Sequence, residues 1–173
     1  MYDTIIIGAG LSGMSAALYC AKNSLKALVV AKSVPDSNQS ESFLLNPADL
    51  IIKFKNAVKE QSGLIDFRVN QEVISLEKNV VSFSVELKTG HVEYGKSIII
   101  AIGNGDTSFD LLTHKDSLAK IKVDAQMRTN IAGIFACGGC TALSADDTFI
   151  SSAQGAQAAL SVKKFLNANL APG

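Results

Sequence analysis

The sequence has no tryptophan, only three cysteines and three prolines, and no excess of charge of either sign. Its 16 basic and 16 acidic residues give a formal net charge of zero, and no basic cluster is denser than Lys163 and Lys164. We therefore expect neither nucleic acid nor a membrane surface as a partner. Three cysteines are too few for a secreted disulfide scaffold, which favours a reducing, cytoplasmic compartment. No apolar run is long enough to span a bilayer.

What is present fits an α/β protein. Hydrophobic residues make up 47% of the 173 residues and charged residues 18%, which is typical of a chain that buries a full core. The length is that of one domain, so we expect residues 1–173 to form a single domain.

Short apolar runs alternate with helical patterns along much of the chain. Buried strands are predicted at residues 3–8, 27–31, 97–103 and 134–136, a further parallel strand at residues 65–69, and helices at residues 11–22, 48–61 and 151–166. Strand–helix–strand order predicts a parallel sheet with right-handed crossovers.

The middle of the chain has a different period. Val81, Phe83, Val85 and Leu87 alternate with polar residues, as in a half-exposed strand. Residues 73–77 and 91–94 flank this segment, so we predict a three-stranded antiparallel β-meander.

The motif with the clearest chemistry is G-x-G-x-x-G at residues 8–13, directly after a predicted strand and at the start of a helix. Its glycines, Gly8, Gly10 and Gly13, allow the tight turn, the approach of a pyrophosphate to the backbone, and close helix–strand packing. The helix N-terminus attracts the phosphates. A dinucleotide site is therefore predicted here, the alternative being a glycine turn without a ligand.

The acidic residue that usually follows the second strand and grips the adenosine ribose is missing. Ala31 and Lys32 stand there. Lys32 could meet a 2′-phosphate, which would favour NADP, or it is a solvated charge in a loop.

Two stretches carry a family resemblance. YDTIIIGAGLSGMSAALYCAKNSLKALVV at the N-terminus and TNIAGIFACG at residues 129–138 resemble the FAD-binding domain of thioredoxin reductases, which are flavin-containing pyridine-nucleotide disulfide oxidoreductases. The resemblance implies a three-layer, Rossmann-like FAD-binding domain with FAD as cofactor. It also implies that residues along the chain contact the cofactor: Gly8, Ala9, Gly10, Leu11, Ser12, Gly13, Ala31, Lys32, Gln39, Val73, Ala101, Ile102, Gly103, Gly138, Gly139 and Phe149.

The sequence departs from that family in three places. Residues 98–105 resemble both junctions of the inserted NADPH-binding domain, as if fused, and a second G-x-G-x-x-G does not occur. Gly139 stands where the family has an aspartate that accepts hydrogen bonds from the ribityl chain of FAD. Asp146, Asp147 and Thr148 replace an Arg-Gln pair near the flavin. These changes put the flavin end of the site in doubt, but not the pyrophosphate end.

Cys137 and Cys140 form a C-x-x-C pair with two interpretations. They could exchange electrons with a flavin as a dithiol, or they could be small core residues, which we favour. No metal site is expected, because a second cysteine pair is absent.

Together these features predict a small flavoprotein oxidoreductase that exchanges electrons with an unidentified redox protein. The alternative is a non-catalytic protein that holds FAD or ADP. A homo-oligomer is compatible with the sequence.

Overall fold

A computed structural model of the chain describes residues 1–33, 47–60, 63–103, 119–143 and 147–170. The strands are β1 (Thr4–Ile7), β2 (Ala27–Ala31), β3 (Ile65–Val69), β4 (Val73–Lys78), β5 (Phe83–Leu87), β6 (Val92–Gly95), β7 (Ile98–Ile100) and β8 (Ile134–Ala136). The helices are α1 (Leu11–Lys22), α2 (Pro47–Glu60) and α3 (Thr148–Leu170), and a 3₁₀ turn covers Gly138–Cys140.

Five strands form a parallel sheet in the order β3-β2-β1-β7-β8, and β4, β5 and β6 form the predicted antiparallel meander. Because all five strands of the larger sheet are parallel, their carboxyl ends lie at one edge. Ligands of open α/β sheets bind outside this edge.

Both faces of the parallel sheet are buried along its central strands, which explains why these strands are apolar except for Thr4. On one face, Ile6, Val29, Ile99 and Phe135 pack against the helices. On the other face, alternate residues such as Ile5, Ile7, Leu28 and Ile100 pack against buried side chains of the meander: Val73, Leu76, Phe83, Val85 and Leu87. This helix–sheet–meander arrangement confirms the predicted three-layer α/β fold.

Three predicted elements differ from the structure. The strand predicted at residues 97–103 ends at Ile100, and residues 101–103 follow it without regular structure. Val81 was expected in the central strand of the meander, and this prediction is wrong. Asn79 donates its backbone N–H to the carbonyl of Ser82 at 2.8 Å, so residues 79–82 form a turn and the Val81 side chain is 82% exposed. The last helix begins three residues earlier than predicted, because the Asp147 carboxylate accepts the backbone N–H groups of Phe149 and Ile150.

Candidate dinucleotide-binding site

The structure brings most of the predicted site residues to one edge of the parallel sheet. Three backbone hydrogen bonds join the ends of neighbouring strands there. The N–H of Gly8 donates to the carbonyl of Val30 at 2.7 Å, that of Ala101 to the carbonyl of Ile7 at 2.8 Å, and that of Cys137 to the carbonyl of Ile100 at 2.9 Å. The residues after β1, β2, β7 and β8 therefore lie side by side: Gly8, Ala9, Gly10, Lys32, Ala101, Ile102, Gly103, Gly138 and Gly139. Ala31 ends β2, Val73 begins β4, and Phe149 lies in the first turn of α3, while Gln39 lies outside the described residues.

Two glycines of the G-x-G-x-x-G loop are required by the close approach of backbone to backbone. Gly8 has a φ of +115°, and a Cβ there would lie 2.3 Å from the carbonyl oxygen of Ala101. A Cβ on Gly13 would lie 2.1 Å from the carbonyl oxygen of Gly8. The end of β1 therefore packs closely between β7 and α1.

The middle glycine is different, because a Cβ on Gly10 would meet no atom within 4 Å. Gly10 is the N-cap of α1, with φ −68° and ψ −174°, which any residue can adopt. No side-chain hydrogen bond caps the helix there, and its first turn has no acidic residue. The open space beside Gly10 and the uncapped N-terminus of α1 fit a diphosphate, whose charge would satisfy the N–H groups of the first turn.

Helix α3 supports the loop from behind through small residues. A Cβ on Gly155 would lie 2.0 Å from the carbonyl oxygen of Ser12, and the Ser15 hydroxyl donates to the carbonyl of Ser152 at 2.7 Å. Gly138, with a φ of +74°, packs against Ser12, because a Cβ there would lie 2.4 Å from the Ser12 Oγ. The turn after β8 is thus tied to the loop after β1.

Sequence reasoning missed Gln154, a buried amide on α3. Its Oε1 accepts the backbone N–H of Gly138 at 2.8 Å, and its Nε2 donates to the carbonyl of Leu143 at 3.0 Å. This side chain fixes both ends of the segment that follows β8. A glutamine between Ala153 and Gly155 was the only sequence signal, and its partners depend on tertiary structure.

The turn at Gly139 has a cation beside it. The Lys120 ammonium donates to the carbonyl oxygen of Gly139, and Ile121 donates its backbone N–H to the carbonyl of Cys140 at 2.8 Å. The backbone here is held by residues 120–121, and a lysine contacts the position where the family has an aspartate.

At the other end of the edge, the residue that follows β2 has a partner that the sequence did not reveal. The Lys32 ammonium lies 2.6 Å from a carboxylate oxygen of Glu72, whose other oxygen accepts from Lys88 at 3.3 Å. Hydrogen bonds from Lys32 and then Lys88 lower the pKa of the Glu72 carboxyl. Lys32 is therefore half of an ion pair rather than an isolated loop charge.

Cys137 and Cys140 are both buried, with free thiols. The Cys140 Sγ lies 3.4 Å from the carbonyl of Cys137 and 3.6 Å from that of Ile100. Burial raises the pKa of the Cys140 thiol to about 12 and also raises that of Cys137. Thiols in this environment stay protonated at neutral pH, and the thiolate is the nucleophile in disulfide chemistry.

A cavity of about 610 Å³ lies at the opposite end of β8 from the glycine loop, between residues 124–135 and the C-terminal half of α3. Arg128 in its wall is paired with Asp124 at 2.6 Å. The cavity is separated from the glycine loop by the length of β8, so we do not assign the dinucleotide to this cavity. Within the described ranges, no cluster of His, Cys, Asp or Glu could hold a metal ion, and no helix is long and apolar enough to cross a membrane.

Comparison with known families gives two matches. The pyridine nucleotide-disulphide oxidoreductase family matches residues 47–159, and the FAD-binding domain family matches residues 3–45. Among curated relatives, a ferredoxin–NADP reductase of Oenococcus oeni is 30% identical over 119 residues, which are 62% of this chain and 34% of the relative. An NADH dehydrogenase of Ferdinandcohnia aciditolerans is 30% identical over 173 residues, which cover 98% of this chain and 32% of the relative. The chain thus spans about a third of the length of these relatives.

Solved structures with the same fold include thioredoxin reductases. That of Lactococcus lactis superposes with a TM-score of 0.79 at 15% identity, covering 97% of this chain and 100% of the other. That of Gloeobacter violaceus gives 0.78 at 13% identity, covering 99% and 98%. These matches confirm the predicted fold, and the match to the FAD-binding domain family confirms FAD as the cofactor. The chain belongs to the pyridine nucleotide-disulphide oxidoreductase family.

Proposed function

We propose that this chain is a small flavoprotein oxidoreductase that exchanges electrons with a separate redox protein, with residues 1–173 as a single FAD-binding domain. The observation that carries the proposal is the glycine loop. Gly8 and Gly13 are locked by backbone contacts, whereas the space beside Gly10 and the N-terminus of α1 is open. FAD, when bound, supplies reversible electron transfer.

The chain's own residues would bind and orient the cofactor. Backbone N–H groups of Leu11 and Ser12, at the start of α1, would donate to the pyrophosphate. Gln154 and Lys120 hold the turn at Gly138 and Gly139, which the resemblance places beside the ribityl chain. Residues 101–103, after β7, would line the same edge.

The electron donor has to come from outside the chain under this proposal. The two curated relatives are named for ferredoxin, NADP and NADH, but only a third of each is matched. A second dinucleotide fingerprint does not occur in the sequence. The buried, protonated cysteines support a structural role for Cys137 and Cys140, so we place no catalytic step on them.

We also propose a cytoplasmic location, supported by three cysteines that are all free thiols. A rival function is a non-catalytic protein that holds FAD or ADP. Gly139 favours it, because the ribityl acceptor of the family is absent, and so does Asp147, whose carboxylate already occupies the N-terminus of α3.

The test is to reconstitute the purified protein with FAD, remove the excess, and record its absorbance spectrum. Retained flavin bands are expected. A protein that stays colourless but binds ADP in calorimetry would support the rival, and a protein that binds neither would contradict the site itself.

The reconstituted protein should also fail to oxidise NADPH or NADH at an enzyme-like rate, because no second nucleotide fingerprint is present. Steady-state consumption of NADPH with a dye acceptor measures this. Chemical reduction of the bound flavin by dithionite is the control that it is redox-competent. Turnover comparable to that of a complete reductase would contradict the need for an external donor.

A further inference from the structure

The cluster of Lys32, Glu72 and Lys88 lies in a cavity of about 340 Å³ at the carboxyl ends of β2 and β3. Three elements contribute to it: Lys32 follows β2, Glu72 precedes β4, and Lys88 follows β5. The remaining lining is polar, with Asn70, Gln71 and Thr89. A cavity of this size, lined by convergent polar groups, is within the range of small-ligand sites.

Backbone hydrogen bonds connect this cavity to the glycine loop. Gly8 donates to the carbonyl of Val30 at 2.7 Å, and Gln71 donates to the carbonyl of Ala31 at 3.0 Å. The cavity is therefore on the β2–β3 side of Gly10, opposite to the turn after β8. A dinucleotide whose pyrophosphate lies beside Gly10 and whose flavin lies toward β8 would extend its adenosine toward β2 and β3.

The ribose at that end needs an acceptor that β2 does not supply. Ala31 has no polar side chain, although an acidic residue normally stands there to accept from the ribose hydroxyls. A carboxylate has about four lone-pair sites, so Glu72 retains acceptor capacity after it has bound both lysines.

We infer that Glu72 accepts the ribose hydroxyls in place of an acid on β2, and that it makes the site selective for a free 2′-hydroxyl over a 2′-phosphate. This inference rests on the proposed function, because it needs the dinucleotide to lie on the glycine loop. With Glu72 in place, a 2′-phosphate meets a carboxylate, and both lysines are already engaged. Without its charge, Lys32 and Lys88 present two positive charges to the phosphate.

A purely structural role is the competing explanation. The cluster ties the meander to the parallel sheet, since Glu72 and Lys88 flank β4 and β5 while Lys32 follows β2. A tie of this kind would affect stability but would not distinguish two ligands that differ only at the ribose 2′ position.

The experiment uses calorimetric titration of the full chain, freed of FAD, with ADP-ribose and with its 2′-phosphate. The variant is Glu72→Gln, which keeps the shape and removes the charge. Glu77→Gln is the matched control, because Glu77 is an exposed glutamate on β4 outside the cavity. Glu72→Gln should weaken ADP-ribose binding about tenfold and strengthen binding of the 2′-phosphate about tenfold, while Glu77→Gln changes neither.

Lys88→Met provides a second variant. In the Glu72→Gln background it should reverse most of the gain for the 2′-phosphate and leave ADP-ribose binding unchanged. If Glu72→Gln binds both ligands in the wild-type ratio, the selectivity role is overturned, even if its melting temperature falls. If the wild type binds neither ligand, the nucleotide site and the proposed function fail together.

Discussion

The glycine loop after β1 and the turn after β8 lie at the same edge of one sheet but are held by different means. In the loop, backbone meets backbone: Gly13 packs on the carbonyl of Gly8, and Gly8 on that of Ala101. In the turn, side chains hold the backbone: the Gln154 amide oxygen accepts the N–H of Gly138, and the Lys120 ammonium donates to the carbonyl of Gly139. Backbone contact at the loop demands glycine, which is visible in a sequence, whereas side-chain supports from distant elements are not.

The largest effects are expected from adding one methyl group to the loop, at Gly13 or at Gly10. Gly13→Ala places a Cβ 2.1 Å from a backbone oxygen, so helix and strand must separate. We expect a loss of about 1–3 kcal/mol in the free energy of unfolding, or more, together with loss of FAD binding. Denaturant unfolding measures the first and FAD titration the second.

Gly10→Ala is the matched variant, because its methyl group meets no protein atom within 4 Å. Stability should stay near that of the wild type, while affinity for both ADP and FAD falls by about tenfold or more through lost backbone contact with the diphosphate. Unchanged ADP affinity in Gly10→Ala would mean that the pyrophosphate lies elsewhere.

The turn after β8 can be tested by restoring the acidic residue that the family has there. Gly139→Asp supplies a carboxylate acceptor for the ribityl hydroxyls, and the Lys120 ammonium at the Gly139 carbonyl would offset its charge. FAD affinity should rise about tenfold, with little change for ADP, which has no ribityl chain. Titration calorimetry with both ligands separates the two effects.

Gly139→Ala controls for the loss of backbone freedom alone, which could by itself favour the bound turn. If FAD and ADP gain equally in Gly139→Asp, or if FAD binds more weakly, the flavin does not lie beside this turn.

The parts of the fold that were predictable are those with strong local patterns. Strands β1 and β2 and helix α1 match their predicted bounds within a residue, because apolar runs and the G-x-G-x-x-G motif specify them locally. Val81 shows the limit of periodicity. It continues the alternation of β5, but the hydrogen bond from Asn79 to Ser82 closes a turn before the strand starts.

The candidate site divides in the same way. The glycine loop was predictable from its own residues, whereas Glu72 and Gln154 were not. Glu72 is 40 positions from Lys32, and Gln154 is 16 positions from Gly138, so only the folded sheet brings each pair together. The Lys32 side chain is 58% exposed, so the expectation of a solvated lysine after β2 holds, but its pairing with Glu72 could not be inferred from its neighbours in sequence.

The smallest expected effect is at Cys140, in the side-chain-supported turn. Cys140→Ser should leave FAD affinity and any flavin redox activity within a few-fold of the wild type, because a buried protonated thiol acts as a small hydrophobe. The serine hydroxyl can donate to the carbonyl of Cys137 or Ile100, both of which contact the thiol. Loss of electron transfer to a dithiol acceptor in Cys140→Ser, with FAD still bound, would establish the C-x-x-C pair as redox-active.

The raised thiol pKa adds a pH signature to the same variant. The Cys140 pKa is raised from 9.0 to about 12, so its contribution to stability is complete below pH 9 and is lost as the pH rises toward 12. In that window the unfolded thiol ionises while the folded one stays protonated, which costs at most about 1.4 kcal/mol per pH unit. Cys140→Ser should therefore lose less stability than the wild type between pH 9 and 11, as measured by urea unfolding. If stability falls with pH equally in both proteins, the Cys140 thiol ionises in the folded protein as readily as in the unfolded chain. The interpretation of Cys140 as a buried core residue does not allow this.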